Sequence, residues 1–309
     1  DFAHPTIIQR MVKLGFPFAI LIPFSITSIP VPNIDDYEIT KLISTNNNDI
    51  FKGVNKNTGQ IVVIKSLSVT KNFYLQVDFL SGLNISQVDL PGILKIQSFR
   101  YPLTDEEKQT CKLQKYKEKG ETMDLTGYIA ISEFLENGRI SEITQKYLKS
   151  EGKENEKMNP TIRSKIIFGI SATMKSLHKR KIIHRNLTDF NILLDDKLEP
   201  RIGSFSLARY IDEPFEMEMG TWMGTTISMA PEIFDDDSES YSFPVDVFAY
   251  SILLYRMFSN NISFADKKTY RSAKKYLARI RRGDRPVRPP NIPDHYWDLI
   301  QKCWKQNPE

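Results

Sequence analysis

The sequence predicts an α+β chain in two lobes. A small antiparallel β-sheet lobe with one helix precedes a larger, mainly α-helical lobe. Three stretches carry the prediction. Tyr37–Ser66 alternates β-branched and polar residues around an Asn-Thr-Gly turn, the pattern of a small antiparallel sheet. Lys157–Arg180 sets Ile162, Ile166, Ile167, Ile170, Met174 and Leu177 on one helical face. Residues 244–258 (PVDVFAYSILLYRMF) are apolar nearly all round, as a buried helix must be.

A chain of 309 residues with 40% hydrophobic content can bury the core of one bilobal unit or of two modest domains. Its 42 basic and 38 acidic residues leave a net charge of +4, so no nucleic-acid partner is expected. The basic run Lys274–Arg288 is local, ends interleaved with proline, and reads as a solvated face and loop. Two cysteines, Cys111 and Cys303, cannot make a disulfide framework, and with four scattered histidines they show no metal-ligand spacing. A reducing, cytoplasmic location is the expectation. The longest apolar stretch, Leu14–Phe24, is shorter than the roughly 20 residues of a spanning helix and is broken by Pro17 and Pro23. No transmembrane segment is therefore expected. Residues 1–34 read as an extension of unknown role, packed on or trailing from a domain spanning 35–309.

In chain order, YEITKLI, DIFKGV and QIVVIKS are strands, with a turn at Asn55–Gly59. The run NFYLQVDFLSGL is helical. Pro91–Phe99 is the next strand, and the charged stretch Thr104–Asp124, with little apolar periodicity, reads as a mobile loop between strands. Gly127–Ile140 is an apolar strand leading into a polar turn. Asn159-Pro160 marks a helix start. Between the two long helices lies His184–Ala208 (HRNLTDFNILLDDKLEPRIGSFSLA), an apolar run flanked by two short polar clusters.

These stretches resemble a protein kinase of the tyrosine-kinase-like Ser/Thr type over about 37–309. His184-Arg185-Asn186-Leu187 with Asn191 resembles H-R-D-L-x-x-x-N, and Ser204-Phe205-Ser206 resembles D-F-G. Val62–Lys65 resembles V-A-I-K, Ala230-Pro231-Glu232 is A-P-E itself, and YWDLIQKCWKQNPE resembles the end of the family's large lobe. The resemblance implies a bilobal kinase-like fold with a small lobe at 35–134 and a large lobe at 135–309. Its C-terminus looks truncated before the Arg that pairs with the A-P-E Glu.

The resemblance also implies a nucleotide pocket. Lys65 would reach the α/β-phosphates, Ile50, Val63 and Leu193 would sandwich an adenine, and Glu133 and Leu135 would offer it backbone groups. Against that stand several departures. Ile43, Thr45 and Asn48 replace the glycines whose backbone cradles phosphates. Gln76 stands for the Glu that pairs the Lys and cannot neutralise an ammonium. Asn186 replaces the base, and an amide accepts no proton at neutral pH. Thr188 replaces a Lys facing the γ-phosphate. Ser204 replaces the carboxylate that holds Mg²⁺, leaving Asn191 with one neutral oxygen for a cation that prefers carboxylates. Asp189 is the nearest candidate substitute base; Asp195-Asp196 reads as a turn.

Other positions match the family's structural residues. These are His184, Phe205 and Leu80 as stacking groups, Asp246 as the anchor of the loop backbone, and Glu232. Arg185 would pair with a phosphorylated Thr225, Thr226 or Ser228. The expected function is that of a pseudokinase, a scaffold or allosteric regulator whose partners are signalling proteins, an active kinase among them. ATP is admitted as a ligand and Mg²⁺ is not expected. The alternatives are a weak or atypical ATP-dependent Ser/Thr kinase, and a metal-independent nucleotide switch.

Overall fold

The computed structural model describes residues 29–45, 49–68, 88–118, 121–149, 158–211, 226–234, 242–259 and 273–307, with 82, 85 and 86 between. Gln76, Leu80, Asn48 and Thr225 lie outside the described residues. The chain divides into two compact units. One holds residues up to Asp89 with Leu94–Phe134, the other Leu90–Ile93 with Leu135 onward.

The small unit is built on a five-stranded antiparallel sheet. Its strands are β1 (Tyr37–Ser44), β2 (Asp49–Asn55), β3 (Ile61–Leu67), β4 (Ile96–Arg100) and β7 (Tyr128–Glu133), in the order β1-β2-β3-β7-β4. Alternation sorts the side chains by face. Phe51, Val62, Ile64, Ile129 and Ile131 are buried on one face with Ile34, Met123 and Leu125. Leu67, Phe99, Tyr128 and Ala130 pack on the other with Ile29. Ile29 and Ile34 are thus part of the small unit's core, one on each face. The Phe99 amide donates to the Pro30 carbonyl at 2.9 Å, so the segment meets β4 at Pro30. Gly127 precedes β7 where an added Cβ would lie 2.1 Å from the Leu67 carbonyl oxygen, which demands glycine.

The stretch after β4 corrects the mobile-loop expectation. It forms helix α1 (Asp105–Thr110), then a hairpin of β5 (Lys115–Glu118) and β6 (Glu121–Asp124). Thr104 and Glu107 close a reciprocal capping box on α1. The carboxylate of Asp35 takes the Lys112 and Leu113 amides, 77 and 78 residues away, at 2.9 and 2.6 Å. Tyr116 stacks edge-on against Phe51 at 5.4 Å. Long-range hydrogen bonds and buried aromatic area, rather than periodicity, order this insert.

The larger unit contains α2 (Ile140–Lys149), α3 (Pro160–Lys179), α4 (Pro244–Arg256), α5 (Ala273–Arg281) and α6 (Asp294–Cys303). Two short ladders join β9 (Ile192–Leu194) to β10 (Pro200–Ile202) and β8 (Ile182–Ile183) to β11 (Arg209–Tyr210), and an isolated bridge pairs Ile93 with Ile202. Asn159 caps α3 by accepting the Ile162 amide, with Pro160 in the first turn. Residues 90–93 belong here because Ile202 donates to the Gly92 carbonyl at 2.7 Å. At Gly92, φ is +89° and a Cβ would collide with the Thr173 hydroxyl, so strand structure begins only at Ile96. Helix α4 is buried along ten of its residues, and Tyr250 ties it to α3 by donating to the Ile167 carbonyl. In the basic run, α5 buries Tyr276, Leu277 and Ile280. Arg279 pairs with Asp284 and Arg288 with Asp294.

Candidate functional site

In the small unit the candidate residues lie on one face of the sheet. Ile50 lies opposite Lys65, Val63 opposite Ser132, and Lys65 opposite Ala130, so these side chains share a face. Ile50, Val63 and Lys65 are half-buried there. Burial pushes the Lys65 ammonium down to about 8 from an ordinary 10.5. The sign of the stability effect follows. Between about 8 and 10.5 the unfolded chain binds more protons at this lysine than the folded one, so the stability contribution of Lys65 rises with pH across that window. Replacing Lys65 by Met should erase that rise. Urea denaturation at pH 8 and at pH 10 should show the advantage of Lys65→Met over the parent shrinking, at up to about 1.4 kcal/mol per pH unit.

In the large unit the candidate stretch is His184–Ala208, and its geometry is set by Asp246. That carboxylate is 1% exposed. Its Oδ2 accepts the His184 amide at 2.8 Å and pairs with His178 Nε2 at 2.9 Å, while Oδ1 accepts the Arg185 amide at 2.8 Å. Arg185 is held at φ 64°, a left-handed conformation that costs a non-glycine residue and persists where its surroundings over-determine it. The imidazole of His184 is fully buried, which lowers its pKa despite the neighbouring Asp246. A neutral ring fits its contacts: Nε2 donates to the Gly203 carbonyl at 3.0 Å and Nδ1 accepts the Asn186 amide at 3.3 Å. Phe205 meets it edge-on at 5.0 Å. Leu193, half-buried in β9, pairs with Arg201 and bridges to Arg139. Leu135 is buried, and its carbonyl accepts the Gly138 amide. Glu133 ends β7 in the small unit.

The structure places two candidate residues of this loop. Asp189 is not a spare base: Arg256 grips both its oxygens at 2.9 Å, and the carboxylate is buried. Thr188, at the position of the family's Lys, is buried as well. It is 4% exposed, with its hydroxyl turned into the unit. Asp195 does form the turn. It accepts the Lys197 and Glu199 amides and pairs with Arg201, and these contacts hold its pKa low against the desolvation that would raise it.

The residues present do not fit a Mg²⁺ ion. Asn191 spends its amide nitrogen on the Asn186 carbonyl at 2.8 Å, leaving one neutral oxygen. Ser204 is exposed, in left-handed conformation at φ 62°, and supplies a neutral hydroxyl. Among the described residues no three His, Cys, Asp or Glu side chains converge. A hard dication takes carboxylates first.

Burial raises the pKa of Glu232, and the nearby Arg285 guanidinium opposes that shift. Arg285 also donates to the Trp304 carbonyl at 2.6 Å. A positive charge beside the A-P-E Glu is therefore present within the chain. Ser228 is buried, which removes it as an accessible partner for Arg185. Sequence reasoning missed His178, Arg256 and the placement of Arg285. Each acts on a residue 53 to 68 positions away, and no local pattern signals such a pair.

The family model for protein tyrosine and serine/threonine kinase matches residues 38–309. The chain is 30% identical over 183 residues to the RGS domain-containing serine/threonine-protein kinase A of Dictyostelium discoideum, covering 59% of this chain and 15% of that protein. It is 36% identical over 152 residues to a probable serine/threonine-protein kinase of the same organism, covering 48% and 16%. It is 31% identical over 147 residues to a dual serine/threonine and tyrosine protein kinase of Mus musculus, covering 47% and 15%. The chain spans about one sixth or less of the length of these relatives. With a match across nearly its whole length and a two-unit fold of the kind the motifs imply, the chain belongs to the protein tyrosine and serine/threonine kinase family.

Proposed function

We propose that this kinase-family domain is a pseudokinase, acting through protein contacts as a scaffold or as an allosteric regulator of an active kinase in the cytoplasm. One observation carries the reading. Asn186 and Ser204 are neutral, and the carboxylate best placed to substitute for them, Asp189, is consumed by Arg256. Phosphoryl transfer depends on positioning, on charge neutralisation through the metal, and on a proton acceptor. Among the described residues of the loop, no side chain is placed to supply the second and third. The other acids of the loop region do different work: Asp195 organises its turn, Glu199 pairs with Lys165 at 3.5 Å, and Asp196 stands exposed in that turn. What the sequence retains, His184, Phe205 and Asp246, serves the scaffold.

ATP remains an admissible ligand because Ile50, Val63 and Lys65 share a face whose contacts with an adenine and a phosphate need no metal. The names of the relatives as Ser/Thr kinases favour the second reading, a weak ATP-dependent kinase. Thermal melting with ATP separates the two. The proposal expects any stabilisation by ATP to be the same with Mg²⁺ and with a chelator. A larger shift with Mg²⁺ would favour the weak kinase.

A further inference from the structure

We infer that the free edge of β1, with the cleft beside it, is a docking groove for an extended acidic peptide of a partner protein, which joins the sheet as an added strand. The inference concerns the small unit alone and is independent of the phosphotransfer reading. β1 stands at the end of the sheet and pairs with β2 alone among the described strands. Exposed edges of this kind accept strands unless something covers them. Here the insert is pinned to either end of β1, and among the described residues nothing pairs with the edge between. At one end the Asp35 carboxylate holds the Lys112 and Leu113 amides, and at the other Glu118 accepts the Leu42 amide at 2.9 Å. Between them lies a cleft of about 370 Å³ walled by Tyr37, Ile39, Leu113 and Tyr116, which Lys56 and Lys112 line together with the acids Asp35 and Glu38. From Tyr37, where the strand begins, to Leu42 the extended chain spans roughly 17 Å, the length of a six-residue strand.

Charge selects the occupant. The acids at the two pins are already engaged, Asp35 by backbone amides and Glu118 by Leu42 and Tyr116. Lys56 donates to a neutral acceptor, the Asp35 carbonyl at 2.7 Å, rather than to a carboxylate. Lys41, Lys112, Lys115 and Lys117 are exposed around the same edge, against Glu38 as the exposed acid of the wall. A carboxylate on the edge amide of Leu42 is the contact this edge already makes. An alternating segment would place apolar side chains against the two tyrosines and acids against the lysines.

The test is fluorescence anisotropy of the full chain with a labelled heptapeptide, Glu-Val-Glu-Tyr-Glu-Val-Glu. The expected result is saturable binding, weakened about tenfold or more by Lys112→Glu and by Lys56→Glu in proteins with unchanged melting curves. A peptide with Lys in place of Glu, and one with a central Pro, should not bind. Absence of binding by the acidic peptide would overturn the inference. So would equal binding of the Pro peptide, or competition by heparin with the lysine variants unaffected, which would mark a surface reading charge alone.

Discussion

Replacing Asp246 by Ala is expected to destabilise the large unit by about 3–5 kcal/mol, the range for losing one partner of a buried charged network. For a unit of this size, that lowers the melting temperature by roughly 10 °C. The reason is the number of donors that converge on this carboxylate. The amides of His184 and Arg185 and the ring of His178 would be left in a site 1% exposed, where each unpaired donor costs about 1–3 kcal/mol. Arg185 would also lose the bond that holds its left-handed conformation. Asp246→Asn is expected to fare nearly as badly, because an amide nitrogen at either position meets an incoming N–H. Calorimetry of both variants checks this. An Asn variant as stable as the parent would mean that the loop backbone finds its partners elsewhere.

The second large effect belongs to Arg256. Its guanidinium makes both bonds to Asp189, so Arg256→Met leaves a buried carboxylate alone, at an expected cost of about 3–5 kcal/mol. Replacing both partners, Asp189→Leu with Arg256→Met, should recover most of that loss, since a buried pair is often replaceable by apolar groups of similar volume. Denaturant midpoints of the two single variants and the double variant give the coupling directly. The same series bears on function. If Asp189 were a working base, Arg256→Met would raise activity by freeing it. The expectation is a less stable protein with activity no greater than the parent's.

The parts of the fold that were readable in the sequence are those held by periodic burial. The strands around the Asn55–Gly59 turn, helix α3 with its Asn159-Pro160 start, and the apolar helix α4 follow from side-chain alternation and helical faces. The insert after β4 was not readable that way. None of α1 is buried, and the order of the segment comes from Asp35 reaching across 77 residues and from Tyr116 reaching Phe51. One local signal was there to be used: Thr-x-x-Glu at 104–107 is a helix-start signature. In the site, the replacement of a carboxylate by Asn186 or Ser204 is visible from residue identity alone. The engagement of Asp189 is not, because Arg256 lies 67 residues on and only the packing of α4 against the loop brings them together.

On the proposed reading this domain has lost phosphoryl transfer while keeping the kinase scaffold. The most direct measurement is radiolabel transfer from ATP with Mg²⁺, to the protein itself and to a general acceptor protein, comparing the parent with Lys65→Ala. The predicted result is no transfer above the Lys65→Ala background. Transfer that needs Mg²⁺ and disappears with Lys65→Ala would contradict the claim and establish an active kinase working without the usual two carboxylates.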